Sequence, residues 1–411
     1  MGEVCERNIS GTLGIIIQGT MEEMKTDERE ANASETPKIA LVHDFLVSYG
    51  GAERVFEVFA EMFPSAPLYT LMYDAESMGE HFRGRDIRVS WLSKLPNFLK
   101  KRYRFFLPFF PVAVESFDLR DFDIVLSSSG AWTKGIVTRL HTKHIAYLHS
   151  PMRYAWDYHE QYLGELGTTG KWNICIRMVL SYLRIWDKQS AERPDILLVN
   201  SKFTQDRVRK YYRRESSLVY PPALGLSSRF PSETSSAKSA GTAQNEGKYF
   251  LVVSRLTQSK KIHIVVEAFN KLGLPLVIVG IGKEKAKLEH LAKENISFKG
   301  FVGDKELVTL YNNARAVIFP SEEDFGMVAV EALSFGIPVI AYEYGGIKEI
   351  IQTGTTGELF CSQTPEVLAE GVKRFLEKEN EYDVSTMKQS VASFTEDRFK
   401  KEIQSYLQKC L

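Results

Sequence analysis

Residues 38–62 read KIALVHDFLVSYGGAERVFEVFAEM, and this stretch decides the fold. Lys38-Ile39-Ala40-Leu41-Val42-His43 is a short apolar run of the kind that forms a buried strand. The loop Ser48-Tyr49-Gly50-Gly51 ends it, and a helix is expected over 52–62. Strand, glycine loop and helix in that order open a doubly wound α/β sheet.

The alternation continues outward. Strands are expected at 122–127 (FDIVLS), 144–148 (HIAYL) and 196–200 (ILLVN), with helical stretches between them. Residues 223–247 are rich in Ser, Ala and Gly and are expected to form a linker or surface loop. The pattern then restarts with a strand at 249–254 (YFLVVS), a helix over 260–271, and strands at 276–279, 316–319 and 339–341. The expected architecture is α/β, with two Rossmann-like doubly wound domains, 38–222 and 248–390, facing across a cleft. A last helix over 396–408, within 391–411, could pack on the first domain, a point the sequence leaves open. Residues 1–37 are polar over most of their length and are expected to be a disordered extension, with Met21 as an alternative start.

A chain of 411 residues with 44% apolar side chains suffices for two cores. Lys+Arg and Asp+Glu both number 52, so nothing in the charge calls for a nucleic-acid partner, and any anion site must be local. The cysteines at 5, 175, 361 and 410 form no C-x-x-C pair or disulfide framework, which fits a reducing cytoplasm. No apolar run reaches the ~20 residues a bilayer span needs.

Ligands of open α/β sheets bind at strand C-termini, and several chemistry-bearing residues fall there. In Pro320-Ser321-Glu322-Glu323-Asp324-Phe325-Gly326, a strand ends at Pro320 and a helix begins near Gly326. Gly326 lets a ligand approach the backbone, and the first-turn amides face an anion. Glu323 precedes this turn and Glu331 lies within the helix, placed to grip hydroxyls on either side of a bound diphosphate. The plainer alternatives are that Glu323 caps the helix and that Glu331 is solvated. Arg255 leaves a strand end and Lys260 opens the next helix, where a cation is unfavourable unless an anion is present. Val279-Gly280-Ile281-Gly282 and Tyr344-Gly345-Gly346 are either ligand loops or tight turns. In the first half, Gly50-Gly51 allows close approach of a sugar or phosphate, and His149 heads a cluster, HSPMRYAWD, suited to carbohydrate. Residues 94–111, KLPNFLKKRYRFFLPFFP, carry five basic and no acidic side chains with six aromatics. They suit either an anionic membrane surface or a core-packing helix with a solvated face.

These segments (43–55, 147–157, 253–261 and 321–346) together resemble glycosyltransferase family 4, with the GT-B fold. The likeness runs from about 38 to 375. It is nearest to the mannosyltransferases of bacterial O-antigen and surface-polysaccharide synthesis. The resemblance implies that Glu323 contacts the donor sugar, Glu331 holds the nucleotide ribose, and Arg255 and Lys260 neutralise the diphosphate. It also implies that Phe325 and Gly326 present backbone groups to the donor, that Gly50 and Gly51 lie near donor and acceptor, and that His149 sits beside the transferred sugar. Ser150 and Ile281 depart from the usual Thr and Asp of the family. The implied reaction is transfer of a hexosyl group with retention, from a nucleotide-sugar donor such as GDP-mannose to a saccharide or lipid-linked acceptor. No cofactor or metal is implied. The expected location is cytoplasmic, from the cysteine usage, and the basic segment 94–111 offers peripheral attachment to the cytoplasmic face of the membrane as an expectation to test. Asp121-Phe122-Asp123 has the D-x-D pattern, but it starts a strand, away from the cleft, and is rejected as a metal site. A GT-B-type sugar-nucleotide epimerase and a non-catalytic carbohydrate-binding subunit are the alternatives. The second would not need Arg255, Lys260 and both glutamates together.

Overall fold

The computed structural model describes residues 37–94, 103–166, 171–229 and 248–410. The extension 1–37, apart from Pro37, and most of the linker 223–247 lie outside the described residues.

A first, fully parallel sheet comprises β1 (Ile39–Leu46), β2 (Leu68–Tyr73), β3 (Ile87–Val89), β4 (Ile124–Ser129), β5 (Lys143–Leu148), β6 (Ile196–Val199) and β7 (Ser217–Leu218), in the order β3-β2-β1-β4-β5-β6-β7. A second comprises β8 (Tyr249–Val253), β9 (Leu276–Val279), β10 (Ile296–Gly300), β11 (Ala314–Phe319), β12 (Val339–Tyr342) and β13 (Gly357–Phe360), in the order β10-β9-β8-β11-β12-β13. The central strands begin as apolar runs because helices cover both faces, and β1 and β4 turn polar toward their C-terminal ends, at His43-Asp44 and Ser127–Ser129. Strand order reverses between β1 and β4 and between β8 and β11, and a crevice opens at such switch points. The glycine loop follows β1, Arg255 follows β8, and the Glu323 loop follows β11.

Six helices position or flank the crevice: α1 (Gly51–Met62), α2 (Lys171–Ser190), α3 (Lys202–Tyr212), α4 (Ile262–Leu272), α5 (Met327–Ser334) and α6 (Glu396–Gln408). Helix α1 buries Val55, Phe56, Val58, Phe59 and Ala60 on the first sheet and leaves Glu53 and Arg54 toward the cleft side. Helix α6 lies on the first domain: Phe399 stacks on Phe59 with centroids 5.4 Å apart, and Ile403 and Leu407 join the same core.

Helix α4 departs from the sequence expectation. Gln258–Lys260 form a separate 3-10 turn, Lys261 takes a left-handed φ of 54°, and the α-helix starts only at Ile262. Lys260 therefore does not open a helix, and the argument from the helix dipole does not apply to it. Strands β2, β3, β7, β10 and β13 were not anticipated.

Candidate active site

The two sheets present their C-terminal edges to one crevice, and the chain crosses it with charge pairs. Gly51 at the start of α1 nearly touches α5 of the other domain. A Cβ added there would sit 2.9 Å from Met327 Sδ. Opposite, Gly326 takes φ 106°, a conformation that suits glycine, and passes the chain into α5. The Phe325 ring is buried against Tyr220 and Phe394, so the residue turns its side chain inward at the crevice. No side chain caps α5, which removes the capping alternative for Glu323 and leaves the first-turn amides for a ligand.

Glu323 instead contacts Lys260 in a short ion pair and accepts from Ser321 Oγ at 3.1 Å. Burial alone would push its carboxyl up, but Lys260 and Arg153 outweigh this and hold it below the usual carboxylate range. The structure thus brings Glu323 and Lys260 together. Arg255 is exposed, and its guanidinium makes no hydrogen bond or ion pair among the described residues. It lies close enough to act on the charge of Glu53 across the crevice.

Glu331 is 3% exposed, which excludes the solvated alternative. Its oxygens meet Arg54 of α1 in a short contact and the Tyr311 hydroxyl at 3.2 Å. Its role is therefore tied to a bridge between domains that the sequence did not announce. His149, after β5, is half-buried and bonds Ser128 Oγ through Nε2 at 2.8 Å. Burial, then the neighbouring His43, lowers its pKa to about 4, so the ring is neutral at pH 7.

Both remaining glycine pairs buttress these loops. A Cβ on Gly280 would stand 1.8 Å from Ser254 O, and one on Gly282 2.1 Å from Leu256 O, so the pair is packed against the backbone carrying Arg255. A Cβ on Gly345 would stand 2.2 Å from Glu323 O, and the Gly346 amide donates to that same oxygen at 2.9 Å. That amide is spent on positioning Glu323 and is not free for a ligand.

The sequence did not announce a second link between the domains, made by Asp324. Asp324, 6% exposed, accepts from Arg153 Nε at 3.0 Å and Nη2 at 2.5 Å, and from Arg207 Nη1 at 2.5 Å. Burial would raise its carboxyl, but the two guanidiniums hold it below the usual range. Glu349 caps α3 from the other domain, accepting from the amides of Lys202 at 3.0 Å and Phe203 at 2.9 Å. Asp324 stood inside the most informative motif, but its partners lie 171 and 117 residues away, with no local signal. Asp123, in the rejected D-x-D pattern, accepts from the Lys38 amide at 2.8 Å at the start of β4. Among the described residues, no group of three or more His, Cys, Asp or Glu side chains is arranged to hold a metal ion.

A crevice between two parallel-sheet domains, lined by a glycine loop, a helix N-terminus and paired carboxylates and cations, places the chain among two-domain α/β proteins whose strand C-termini face one another, the position at which such folds hold their ligands. The family model for glycosyltransferase family 4 matches residues 49–222, and that for glycosyl transferases group 1 matches 234–389. Between them they cover both halves, and the chain belongs to this glycosyltransferase family. An uncharacterised glycosyltransferase of Methanocaldococcus jannaschii is 36% identical over 160 residues, 36% of this chain and 41% of that protein. O-antigen chain mannosyltransferase C of Escherichia coli is 29% identical over 36% of this chain and 43% of its own length. The chain spans about half the length of the curated relatives it matches. In overall shape it is similar to Anabaena HepE, solved in complex with UDP and glucose, with a TM-score of 0.62 at 17% identity over 91% of this chain and 100% of that one. The fold is GT-B.

Proposed function

We propose that the protein is a retaining glycosyltransferase. It moves a hexosyl group, mannose by its sequence likeness, from a nucleotide diphosphate sugar to a saccharide or lipid-linked saccharide acceptor in surface polysaccharide synthesis. One observation carries this reading: at the switch point of the second sheet, Arg255, without a partner among the described residues, follows β8, and the Lys260–Glu323 pair ties that strand end to the loop that leads into the uncapped start of α5. Charge grows on a departing diphosphate, and preorganised cations and amides stabilise it there without reorganising. Glu323 would orient the sugar, and His149 would lie beside it. GDP-mannose is the donor expected from the resemblance, and these cations take the place of a metal.

The protein would meet an anionic membrane through residues 94–111 and the surface beside them. Residues 95–102 of that segment lie outside the described residues. Of the rest, Leu107 and Phe110 are buried in the core and Phe109 is exposed. No described helix is long and apolar enough to cross a membrane. Helix α2 nevertheless exposes Ile174, Met178, Tyr182 and Ile185 along one side, with Arg177 and Lys188 exposed on the same helix.

The test is binding of GDP-mannose, UDP-glucose and UDP-N-acetylglucosamine with EDTA present. Selective binding of GDP-mannose that is lost in Glu331→Ala is the expected result. Binding of none, or only with added divalent metal, refutes the proposal.

A further inference from the structure

Four polar side chains form one line from the glycine loop to the site histidine. Strand register makes the first link. His43 on β1 lies opposite Ser128 on β4, so their side chains leave the sheet on one face. His43 Nδ1 and Ser128 Oγ stand 3.0 Å apart. On the other side of β4, Ser129 lies opposite Leu148 of β5. His149, the next residue, brings Nε2 to 2.8 Å from the same Ser128 oxygen. At the far end, Glu53 in the first turn of α1 places Oε1 3.6 Å from His43 Nε2. His43 and Ser128 are buried, and the His43 ring is fixed by stacking on Phe56 at 4.7 Å. His149 Nδ1 has no hydrogen-bond partner among the described residues, and Asp324 of the other domain lies close enough to act on its charge.

The line has a direction. A neutral imidazole carries its proton on one nitrogen and a lone pair on the other. A carboxylate facing His43 Nε2 repels a lone pair there, so that nitrogen carries the proton and Nδ1 is bare. Bare Nδ1 takes the single hydroxyl proton of Ser128. The serine oxygen then has only lone pairs to offer His149, whose Nε2 must donate. The remaining nitrogen of His149, Nδ1, is left as an acceptor.

We propose that Glu53 is a positioning residue. Through His43 and Ser128 it fixes the tautomer of His149, leaving Nδ1 to accept a hydrogen bond from a hydroxyl of the transferred sugar. The ligand in this statement rests on the proposed transferase function, but the tautomer does not. A sugar hydroxyl can donate to bare Nδ1, whereas a protonated Nδ1 would demand an acceptor in the same place. Which sugar hydroxyls fit beside His149 would thus be set by a carboxylate three side chains away.

The experiment is 15N NMR of the ligand-free full chain with labelled histidine, resonances being assigned by single His substitutions. The wild-type protein is expected to show protonated Nε2 and bare Nδ1 at both His43 and His149. Glu53→Ala should turn both rings into tautomer mixtures, and Glu53→Gln, which keeps an acceptor oxygen, should restore them. Ser128→Ala should disturb His149 while leaving His43 protonated at Nε2. That variant keeps the relay testable if Glu53→Ala does not fold. A protonated Nδ1 on wild-type His149, or a His149 tautomer unmoved in Ser128→Ala, overturns the proposal. With donor substrate, Glu53→Ala should lower kcat/KM about tenfold, the loss of one hydrogen bond, and Glu53→Gln should recover most of it. Absent turnover in wild-type protein would count against the transferase reading and leave the NMR result standing.

Discussion

Asp324→Asn should open the crevice. Asp324 sits on the second domain and accepts three hydrogen bonds from Arg153 and Arg207 of the first. Asparagine keeps the shape but loses the charge. Its one oxygen can serve one guanidinium, and its amide then faces the other donor to donor. Breaking a buried ion pair from one side typically costs ~3–5 kcal/mol. The Arg153 side chain is 31% exposed, and Arg207 at 6% exposed keeps Asp157 as a second partner, so the lower end applies. About 3 kcal/mol corresponds to roughly a 100-fold shift between joined and parted domains. The cost falls on the joined state because parting the domains returns both arginines to water. Dyes on Cys175 and Cys361, exposed on different domains, report the separation by energy transfer once the other cysteines are replaced. The asparagine variant should show lower transfer and weaker donor binding. The pH dependence has a definite sign. The Asp324 carboxyl is held below its ordinary value, so its contribution is present above the unfolded value and is lost as pH falls through the folded one. Wild-type protein should stay joined through neutral pH and part only below the usual carboxylate range, and the variant should lack that acid transition. Equal energy transfer and equal donor affinity in the two proteins would show that Asp324 does not hold the domains together.

Three further outcomes are expected. Arg255→Ala should keep its melting temperature, because the guanidinium has no partner among the described residues, and lose about 10²–10³ in turnover if, as proposed, it neutralises the departing diphosphate; unchanged turnover removes Arg255 from the site. Gly345→Ala forces a Cβ to within 2.2 Å of Glu323 O at φ 86°. It should cost about 1–3 kcal/mol in urea unfolding and weaken donor binding together, and a stable variant with normal binding would show that the loop does not position Glu323. Met178→Asp on α2 should weaken flotation with vesicles containing phosphatidylglycerol at low salt without changing stability. Equal flotation would exclude this face from membrane docking.

Much of the fold was legible because parallel strands buried on both faces are written as continuous apolar runs, as in Ile39–Val42 at the start of β1 and in Tyr249–Val253. Strand ends with glycine loops placed Gly50, Gly51, Arg255, Glu323 and Gly326 at the crevice. Short edge strands such as Ile87–Val89 and Ser217–Leu218 were not legible, since two or three residues carry no period. Nor was the break at Lys261, where a lysine takes a left-handed conformation that composition does not announce.

The sequence by itself determined that there are two doubly wound domains and which strand ends carry charge, because periodicity and loop chemistry act between near neighbours. Tertiary structure alone decided how those charges are used. It gave Lys260 to Glu323, Arg54 to Glu331, and Arg153 and Arg207 to Asp324, and spent the Gly346 amide on the Glu323 carbonyl. Coulomb attraction and hydrogen bonding depend on distance in space: Lys260 and Glu323, 63 positions apart, meet because β8 and β11 are neighbours in one sheet, whereas Arg54, Arg153 and Arg207 reach their carboxylates, more than a hundred positions away, only when the two sheets face each other.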